Sequence, residues 1–249
     1  MDLENKVAVV TGASKGIGRA IALKFASEGA TVFVNYNTSK TEAEDVVRQI
    51  QNLGRVAYPL QADVGTLEGV EKIEDVVLNH YAKADILVNN ASIYPRTNLF
   101  YVDDNYWNKV LDTNLKGLFF LTQKFGQHMI TQKNGVIINI ASAAGMSPTH
   151  LDGVVYGATK AATIHLTKSF AKVFAPYVRV NSISPGYTYS EMQGFEKNPQ
   201  KEQRVLSEIP LNLINQPEDI AEIAAFLASS KSRTITGENI LVDGGRILK

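Results

Sequence analysis

The fold is decided by the stretch Thr11-Gly12-Ala13-Ser14-Lys15-Gly16-Ile17-Gly18, which follows the apolar run 7–10 and precedes a helical pattern at 19–27. Glycines at a strand-to-helix turn let the backbone bend sharply and let a pyrophosphate approach the helix N-terminus, where free amides favour negative charge. The alternative is a tight turn that uses glycine only for its backbone angles. The position between strand and helix favours dinucleotide binding. The candidate contacts in this turn are Gly12, Ser14, Lys15, Gly16, Ile17 and Gly18.

Short β-branched runs alternate with longer helical patterns along the chain, which is typical of βαβ units and a parallel sheet. Most runs are continuously apolar, as expected when helices cover both faces of the sheet. Right-handed crossovers then predict a single doubly wound, Rossmann-type α/β domain over residues 1–249, with about seven parallel strands. The predicted strands are 7–10, 31–36, 56–60, 86–89, 136–140, 178–183 and 239–242.

Several helix ends carry their own sequence signals. The run Ser39-Lys40-Thr41-Glu42 has the pattern of a capping box, and Gly29 and Gly54 stand where glycine commonly ends a helix. The segment 187–216 shows the least regular pattern in the chain. We expect this segment to form a mobile flap over the substrate.

The composition disfavours several classes of protein. Lys plus Arg and Asp plus Glu both number 25, so the formal net charge is zero and no global field attracts nucleic acid or an anionic membrane. The absence of cysteine removes disulfides, thiolate metal sites and cysteine nucleophiles, and we expect no metal. Without a signal-peptide pattern or an apolar run of about 20 residues, a cytoplasmic location is expected.

The motif Thr-Gly-x-x-x-Gly-x-Gly resembles the short-chain dehydrogenase/reductase family, and further motifs in the family's order extend the resemblance over essentially the whole chain. The resemblance implies a nicotinamide-dependent oxidoreductase in which Asp63 and Val64 flank the adenine and Asn90 supports the cofactor-side sheet edge beside Ala91. One departure is Ser92, where relatives usually have glycine, and we expect it to tighten the active-site floor. The matching motifs are Asn89-Asn90-Ala91, Asn114, Ser142, Tyr156-x-x-x-Lys160, Pro185-Gly186 and Asp243-Gly244-Gly245.

Tyr156 and Lys160 are the expected acid–base pair, because residues four apart in a helical stretch project from one face. The spacing alone does not decide this, since Tyr36 and Lys40 share it and a surface pair on a helix would look the same. A phenol has a pKa near 10, and a nearby ammonium and an oxidised nicotinamide both stabilise its phenolate. Tyr156 is therefore predicted to donate and accept the proton, and Lys160 to tune it. The resemblance adds that Lys160 binds the nicotinamide ribose and that Tyr156 also contacts the cofactor.

Other polar positions complete the predicted site. Ser142 follows a strand at the edge where ligands bind in open α/β sheets, so its hydroxyl is expected to hold the substrate oxygen. A serine hydrolase would need a histidine base, and it is disfavoured because none of the four histidines, His80, His128, His150 and His165, accompanies a Gly-x-Ser-x-Gly elbow. Asn114 matches the family residue that kinks its helix around a water that carries protons. The alternative is an ordinary asparagine on the polar face of a helix. Pro185-Gly186, followed by Thr188 and Ser190, resembles the loop that holds the nicotinamide carboxamide, although Pro-Gly alone would merely end a strand.

The end of the second strand favours NADP (NADPH) over NAD. NAD enzymes of this fold usually place an acidic side chain there to bind the ribose hydroxyls. Here the strand ends Val34-Asn35-Tyr36-Asn37, so no carboxylate repels a 2′-phosphate. Lys15 supplies positive charge and Asn37 a hydrogen-bond donor. The alternative for Lys15 is a solvated loop charge.

The motifs most resemble those of 3-oxoacyl-carrier-protein reductases, which implies reduction of a 3-oxoacyl thioester or a similar ketone. The resemblance also implies a homotetramer that pairs helices equivalent to residues 104–132 and 156–175. An acidic carrier protein would need a basic patch, and Lys168 and Lys172 lie one helical turn apart. An ordinary solvated helix face explains them as well.

Other features favour a more specialised ketone. The interval from Ser142 to Tyr156 is one residue longer than expected, and it carries His150 and Asp152 near the substrate. The flap adds aromatic side chains at 187 and 189. Reduction or dehydrogenation of a sugar or specialised ketone therefore stays open. A non-catalytic nucleotide-binding protein on the same fold is a further alternative, since a fold does not fix a function.

Overall fold

A computed structural model describes residues 1–190, 194 and 198–248 of the chain. Within this part lies one parallel sheet with the strand order β3-β2-β1-β4-β5-β6-β7. The predicted doubly wound architecture is confirmed. The strands are β1 (Val7–Val10), β2 (Thr31–Tyr36), β3 (Ala57–Gln61), β4 (Ile86–Asn89), β5 (Gly135–Ile140), β6 (Val178–Pro185) and β7 (Asn239–Val242).

Helices cover both faces of the sheet, as the continuously apolar strands predicted. The described α-helices are α1 (Gly16–Ser27), α2 (Lys40–Asn52), α3 (Leu67–Tyr81), α4 (Asp104–Leu111), α5 (Gly117–Thr131), α6 (Val154–Phe174), α7 (Pro199–Glu208) and α8 (Pro217–Ala228). None of the described helices is both long and apolar enough to cross a membrane.

Alternate strand residues supply two buried cores. On one face, Val10 and Val34 pack with side chains of α1, α2 and α8, while on the other Val9 and Phe33 pack with side chains of α3, α5 and α6. Successive strand side chains point to opposite faces, so an apolar run serves both cores. The sheet is thereby fixed on both sides, and its carboxyl edge becomes a rigid platform for the loops above it.

The start of α2 differs from the prediction. Ser39 precedes α2 as its N-cap residue, but its side chain accepts no capping hydrogen bond from the described residues, so the predicted capping box is wrong. Glu42, the other residue of that pattern, instead forms an ion pair with Lys15, with 2.9 Å between Nζ and Oε1. A π-helical turn, Asp112–Lys116, separates α4 from α5 inside the predicted helix 104–132, where a kink is expected.

The predicted flap, 187–216, contains regular structure in its described part. Helix α7 lies within it, and Val205 packs with Ile209 and Ile214 in a small buried cluster. Residues 191–193 and 195–197 of the predicted flap lie outside the described residues. Motion of the segment stays a prediction.

Candidate active site

A cavity of about 530 Å³ opens at the carboxyl edge of the sheet, a size typical of small-molecule sites. It is bounded by the β1–α1 turn and by the segments that follow β4, β5 and β6. The predicted site residues in its lining are Gly12, Lys15, Gly16, Ile17, Gly18, Asn90, Ala91, Ser142, Tyr156, Lys160, Pro185, Gly186, Thr188 and Ser190. The predicted contacts outside the lining are Ser14, Asn37, Asp63, Val64 and Asn114.

The glycine turn is held in a narrow gap. Gly12 has a φ of +59°, and a Cβ on it would lie 2.9 Å from the Cα of Ala91. A Cβ on Gly18 would collide with the Gly12 carbonyl and with the amide of Asn90. Both positions therefore require glycine. Gly12 needs it for its left-handed backbone and its close contact with Ala91, and Gly18 needs it for its close contacts alone.

Asn90 braces this turn from behind. Its Nδ2 donates to the carbonyl oxygens of Thr11, at 2.9 Å, and Gly12, at 3.0 Å. The hydroxyl of Thr11 in turn accepts from the amides of Asn90 and Ala91, at 2.9 and 3.0 Å. These bonds tie the end of β4 to the turn, and they give a structural basis for the supporting role implied for Asn90.

A further brace, Asn35 on β2, was not identified from the sequence. Its Nδ2 donates to the carbonyls of Leu60 and Ala62, at 3.2 and 3.1 Å, and its Oδ1 accepts from the amide of Gly12 at 3.3 Å. The side chain is fully buried. The available signal was an amide within an otherwise apolar strand, since a buried polar group needs hydrogen-bond partners.

The end of the cavity next to β2 carries charges of both signs. The ion pair with Lys15 holds the pKa of Glu42 below its usual range. Gln61 Nε2 donates to the Asn37 carbonyl at 3.0 Å. Asp63 Oδ1 accepts from the Gly65 amide at 2.9 Å and shapes the loop after β3. Glu42 is thus a second residue near the predicted phosphate site that sequence reasoning did not select.

Tyr156 and Lys160 lie one turn apart on α6 and face the cavity. The ring of Tyr156 stacks on Tyr94, with 4.6 Å between centroids, and the Nζ of Lys160 lies 5.6 Å from the Tyr156 centroid. Lys160 is buried, and its Nζ donates to the carbonyl of Ile140, at the end of β5, at 2.8 Å. The carbonyl positions the ammonium beneath the phenol.

Burial dominates the electrostatics of both groups. It raises the pKa of Tyr156, and the hydroxyls of Ser142 and Ser92 act in the opposite direction. Burial lowers the pKa of Lys160 from 10.5 to about 8. In the protein without a bound dinucleotide, the predicted lowering of the phenol pKa is therefore absent. A positive charge beside the phenol would oppose this shift.

Ser142 and Ser92 both face the phenol. Ser142 follows β5 directly, and its Oγ accepts from the Ala144 amide at 3.1 Å, which leaves its hydroxyl hydrogen to donate. Ser92 Oγ is shielded from solvent and completes no hydrogen bond within the described part of the chain. A buried hydroxyl without a partner is uncommon, and this one faces the reactive group.

Asn114 lies in the π-helical turn and is buried. Its Oδ1 accepts from the Ile93 amide at 2.8 Å, and its Nδ2 donates to the Ile93 carbonyl at 2.9 Å. A longer contact of 3.4 Å joins its Nδ2 to Thr159 Oγ1 on α6. The widened turn agrees with the predicted kink, and Asn114 fixes the loop that carries Ser92 against the catalytic helix.

The segment after β6 supplies the remaining predicted contacts. Gly186 fits closely against Asp243, since a Cβ on it would lie 2.6 Å from the Asp243 Cβ. The hydroxyl of Thr188 donates to the Gly186 carbonyl at 3.3 Å, and that of Ser190 to the Thr188 carbonyl at 3.4 Å. Asp243 also accepts from the Gly245 amide at 2.9 Å, which explains the Asp-Gly-Gly motif as a support for this loop.

Comparisons with known proteins agree with this geometry. The family model described as enoyl-(acyl carrier protein) reductase matches residues 12–246. The 3-oxoacyl-(acyl-carrier-protein) reductase FabG of Staphylococcus epidermidis is 42% identical over 244 residues, which covers 97% of this chain and 98% of the relative. The FabG of Staphylococcus aureus is 43% identical over 243 residues, covering 96% and 97%.

A solved short-chain dehydrogenase from Burkholderia cenocepacia, in complex with NADP, superimposes with a TM-score of 0.93 at 30% identity. The superposition covers 99% of this chain and 100% of that one. The chain belongs to the short-chain dehydrogenase/reductase family, as its motifs predicted. It is an oxidoreductase that acts on CH–OH groups.

Proposed function

We propose that this protein is an NADP-dependent reductase of ketones and that its substrate is a 3-oxoacyl thioester. The observation that carries the proposal is the convergence of Tyr156, Lys160 and Ser142 on the same cavity as the glycine turn. A proton donor thereby lies beside a site suited to a dinucleotide. The Staphylococcus relatives named as 3-oxoacyl-(acyl-carrier-protein) reductases support the choice of substrate.

The residues present fit a dinucleotide. The absence of side chains at Gly12 and Gly18 lets the turn pack closely against Asn90 and Ala91 at the start of α1, where a pyrophosphate meets free backbone amides. When bound, the reduced nicotinamide supplies the hydride and leaves a positive charge near the phenol. Thr188 and Ser190 offer hydroxyls in the lining of the same cavity, and we place the carboxamide beside them. The NADP complex of the Burkholderia relative supports the assignment.

The charges near β2 support NADP over NAD. No acidic side chain follows directly at the end of β2, and Lys15 lines the cavity. Its ion pair with Glu42 is partly exposed, and exposed ion pairs contribute little free energy. A doubly charged 2′-phosphate competes well for Lys15, because it combines a larger charge with more acceptor oxygens. In this proposal Asn37 adds a donor, and Asp63 and Val64 lie beside the adenine.

The proton chemistry follows from the geometry of α6. Tyr156 donates its proton to the oxygen of the ketone as that oxygen gains charge, a step typically worth about 10² to 10⁴ in rate. Lys160, held beneath the ring by the Ile140 carbonyl, stabilises the resulting phenolate. Ser142 donates a hydrogen bond to the substrate oxygen and orients it towards Tyr156. Oxidation of an alcohol uses the same groups in reverse.

Four further parts of the proposal concern assembly, carrier binding, mobility and location. Trp107 on α4 and Val173 on α6 are exposed apolar side chains on the helices that we expect to pair in a homotetramer. Exposed Lys168 and Lys172 form the proposed contact for an acidic carrier protein. We also propose that the segment 187–216 closes over bound substrate. The proposed location is the cytoplasm. Sedimentation and cell fractionation test assembly and location directly.

NADPH oxidation with a 3-oxoacyl thioester, offered with and without a carrier protein, tests the substrate. We expect turnover of the thioester and a lower KM for its carrier-bound form. A small cyclic ketone and a sugar ketone are run in parallel. If either of these ketones is turned over and neither thioester form is, the acyl assignment is overturned and the ketone chemistry stays in place.

A further inference from the structure

Several basic side chains line the cavity, two of them against the rings of Tyr94 and Tyr187. They come from parts of the chain that are distant in sequence and that meet only in the folded protein. We call this group the basic rim, and it consists of Arg96, Lys201, Arg204 and Arg246. Asp152 is the acidic residue in the described lining of the cavity.

The rim begins close to the reactive phenol. Tyr94 stacks on Tyr156 with 4.6 Å between ring centroids, and the guanidinium carbon of Arg96 lies 5.2 Å from the Tyr94 centroid. Arg96 is thus separated from the phenol by a single intervening ring. A substrate whose ketone meets Tyr156 reaches Arg96 with only a short chain of atoms.

Within the described part of the chain, the acids near the rim balance only part of its charge. Asp152 lies 3.3 Å from Arg96, and Glu208 lies 3.4 Å from Arg246. Arg204 makes no ion pair with a described residue. The pKa of Lys201 is lowered mainly by burial and, to a smaller extent, by the charges of Arg96 and Arg204. Asp152 opposes this lowering only in part. Among the described residues, the two arginines therefore place more charge near Lys201 than Asp152 offsets.

Clusters of like charge inside a cavity are unfavourable unless an anion neutralises them. Arg246 is also stacked on Tyr187, with 4.6 Å from its guanidinium carbon to the ring centroid, so its side chain is held at the wall of the cavity. Guanidinium groups fixed in this way bind carboxylate or phosphate oxygens with two parallel hydrogen bonds. The rim thus has the composition of an anion site.

Resting on the proposed ketone reduction, we propose that the substrate carries an anionic group, a carboxylate or a phosphate, which binds the basic rim while its ketone meets Tyr156. The aromatic wall of Tyr94 and Tyr187 would contact the atoms between the two groups. This narrows the substrate to anionic ketones and the corresponding hydroxy compounds. The anion has two possible sources, the phosphate of a phosphopantetheine arm or a carboxylate on the ketone itself.

Matched substrate pairs separate these sources. The first pair is a 3-oxoacyl thioester of 4′-phosphopantetheine and the same thioester of pantetheine. The second pair is a 5-oxo carboxylic acid and its methyl ester. We measure kcat/KM for both pairs with saturating NADPH, and the dissociation constant of each compound for the NADP-loaded protein by calorimetry, so that binding is measured whether or not turnover follows.

The variants are Arg204→Gln and the double variant Arg96→Gln with Lys201→Gln. Arg233→Gln, at an exposed site outside the described cavity lining, is the matched control. We expect the anionic member of at least one pair to be favoured about tenfold in kcat/KM or affinity, since a hydrogen bond to a charged group contributes roughly this much. Arg204→Gln should remove most of that preference and change the neutral member less than about twofold. NADPH affinity should stay unchanged.

The inference is overturned if the rim variants lose kcat/KM and affinity equally for the anionic and the neutral member of each pair. It is also overturned if the wild type shows no preference for the anionic member of either pair. These results differ from failure of the proposed function. If neither thioester is turned over but the keto acid is, with the expected preference, the acyl assignment fails and the basic rim stands. If both thioesters are turned over equally in every variant and the keto acid is not preferred over its methyl ester, the acyl assignment stands and the basic rim fails.

Discussion

Replacing Lys160 by methionine removes a positive charge that folding buries. Only 3% of the Lys160 surface is exposed, and its burial lowers the pKa from 10.5 to about 8. A lowered lysine pKa means that the folded state binds the proton less tightly than the unfolded state. At pH 7 the charge therefore opposes folding, and this penalty declines as the pH rises from about 8 towards 10.5.

The size of the effect follows from the pKa values. A shift from 10.5 to about 8 corresponds to about 3 kcal/mol at pH 7. At pH 9.5 the remaining penalty is about 1.4 kcal/mol. Methionine also loses the 2.8 Å hydrogen bond to the Ile140 carbonyl, which costs about 1 kcal/mol at both pH values. We therefore expect the methionine variant to be more stable than the wild type by about 2 kcal/mol at pH 7, with the advantage nearly lost at pH 9.5.

Urea unfolding at both pH values, at equal protein concentration and without nucleotide, measures this difference. Lys168→Met is the control, because Lys168 lies on the same helix and is exposed. The control should differ from the wild type by less than about 0.5 kcal/mol at either pH. The reasoning is refuted if the stability difference between the Lys160 variant and the wild type is the same at pH 7 and pH 9.5.

Other predictions concern the cofactor and the phenol. Lys15→Ala should weaken the binding of NADPH by about 1 to 3 kcal/mol and leave the binding of NADH nearly unchanged. Fluorescence titrations that show equal losses of affinity for both nucleotides would refute the assignment. Asn90→Ala should weaken the binding of both nucleotides by a similar amount, because the carbonyls of the glycine turn lose the hydrogen bonds from this side chain. Asn134→Ala is its control. Ser92→Gly should move the alkaline limb of the kcat/KM profile to higher pH, since one hydroxyl that lowers the pKa of Tyr156 is removed. An unmoved limb would show that Ser92 has no influence on the phenol.

The elements of the fold could be predicted because each strand is a local feature of the sequence. The runs at 7–10, 31–36, 86–89 and 239–242 agree with the observed strands at both ends. They are apolar and β-branched, and they end at polar or glycine-containing turns. Because the carboxyl ends of parallel strands share one edge, the motifs that follow β1, β4, β5 and β6 had to meet there.

The parts that were not predicted depend on contacts between distant segments. The residues 39–42 fit a capping box locally, but Glu42 is drawn to Lys15, which belongs to a different turn. Asn35 contacts the glycine turn only because β2 lies next to β1. The basic rim joins Arg96 to side chains of α7, more than a hundred residues away in the chain. No local pattern predicts such pairs, since their separation is set by the packed fold.

Transfer of hydride from NADPH in a single turnover tests the central claim most directly. The loss of nicotinamide absorbance is followed with enzyme in excess over a 3-oxoacyl thioester or whichever ketone is turned over, in the wild type and in Tyr156→Phe. The phenylalanine variant keeps the ring that stacks on Tyr94 and loses only the hydroxyl. We predict a rate of hydride transfer at least about 100-fold lower in the variant, with a much smaller change in NADPH affinity. A rate close to that of the wild type would contradict the assignment of Tyr156 as the proton donor.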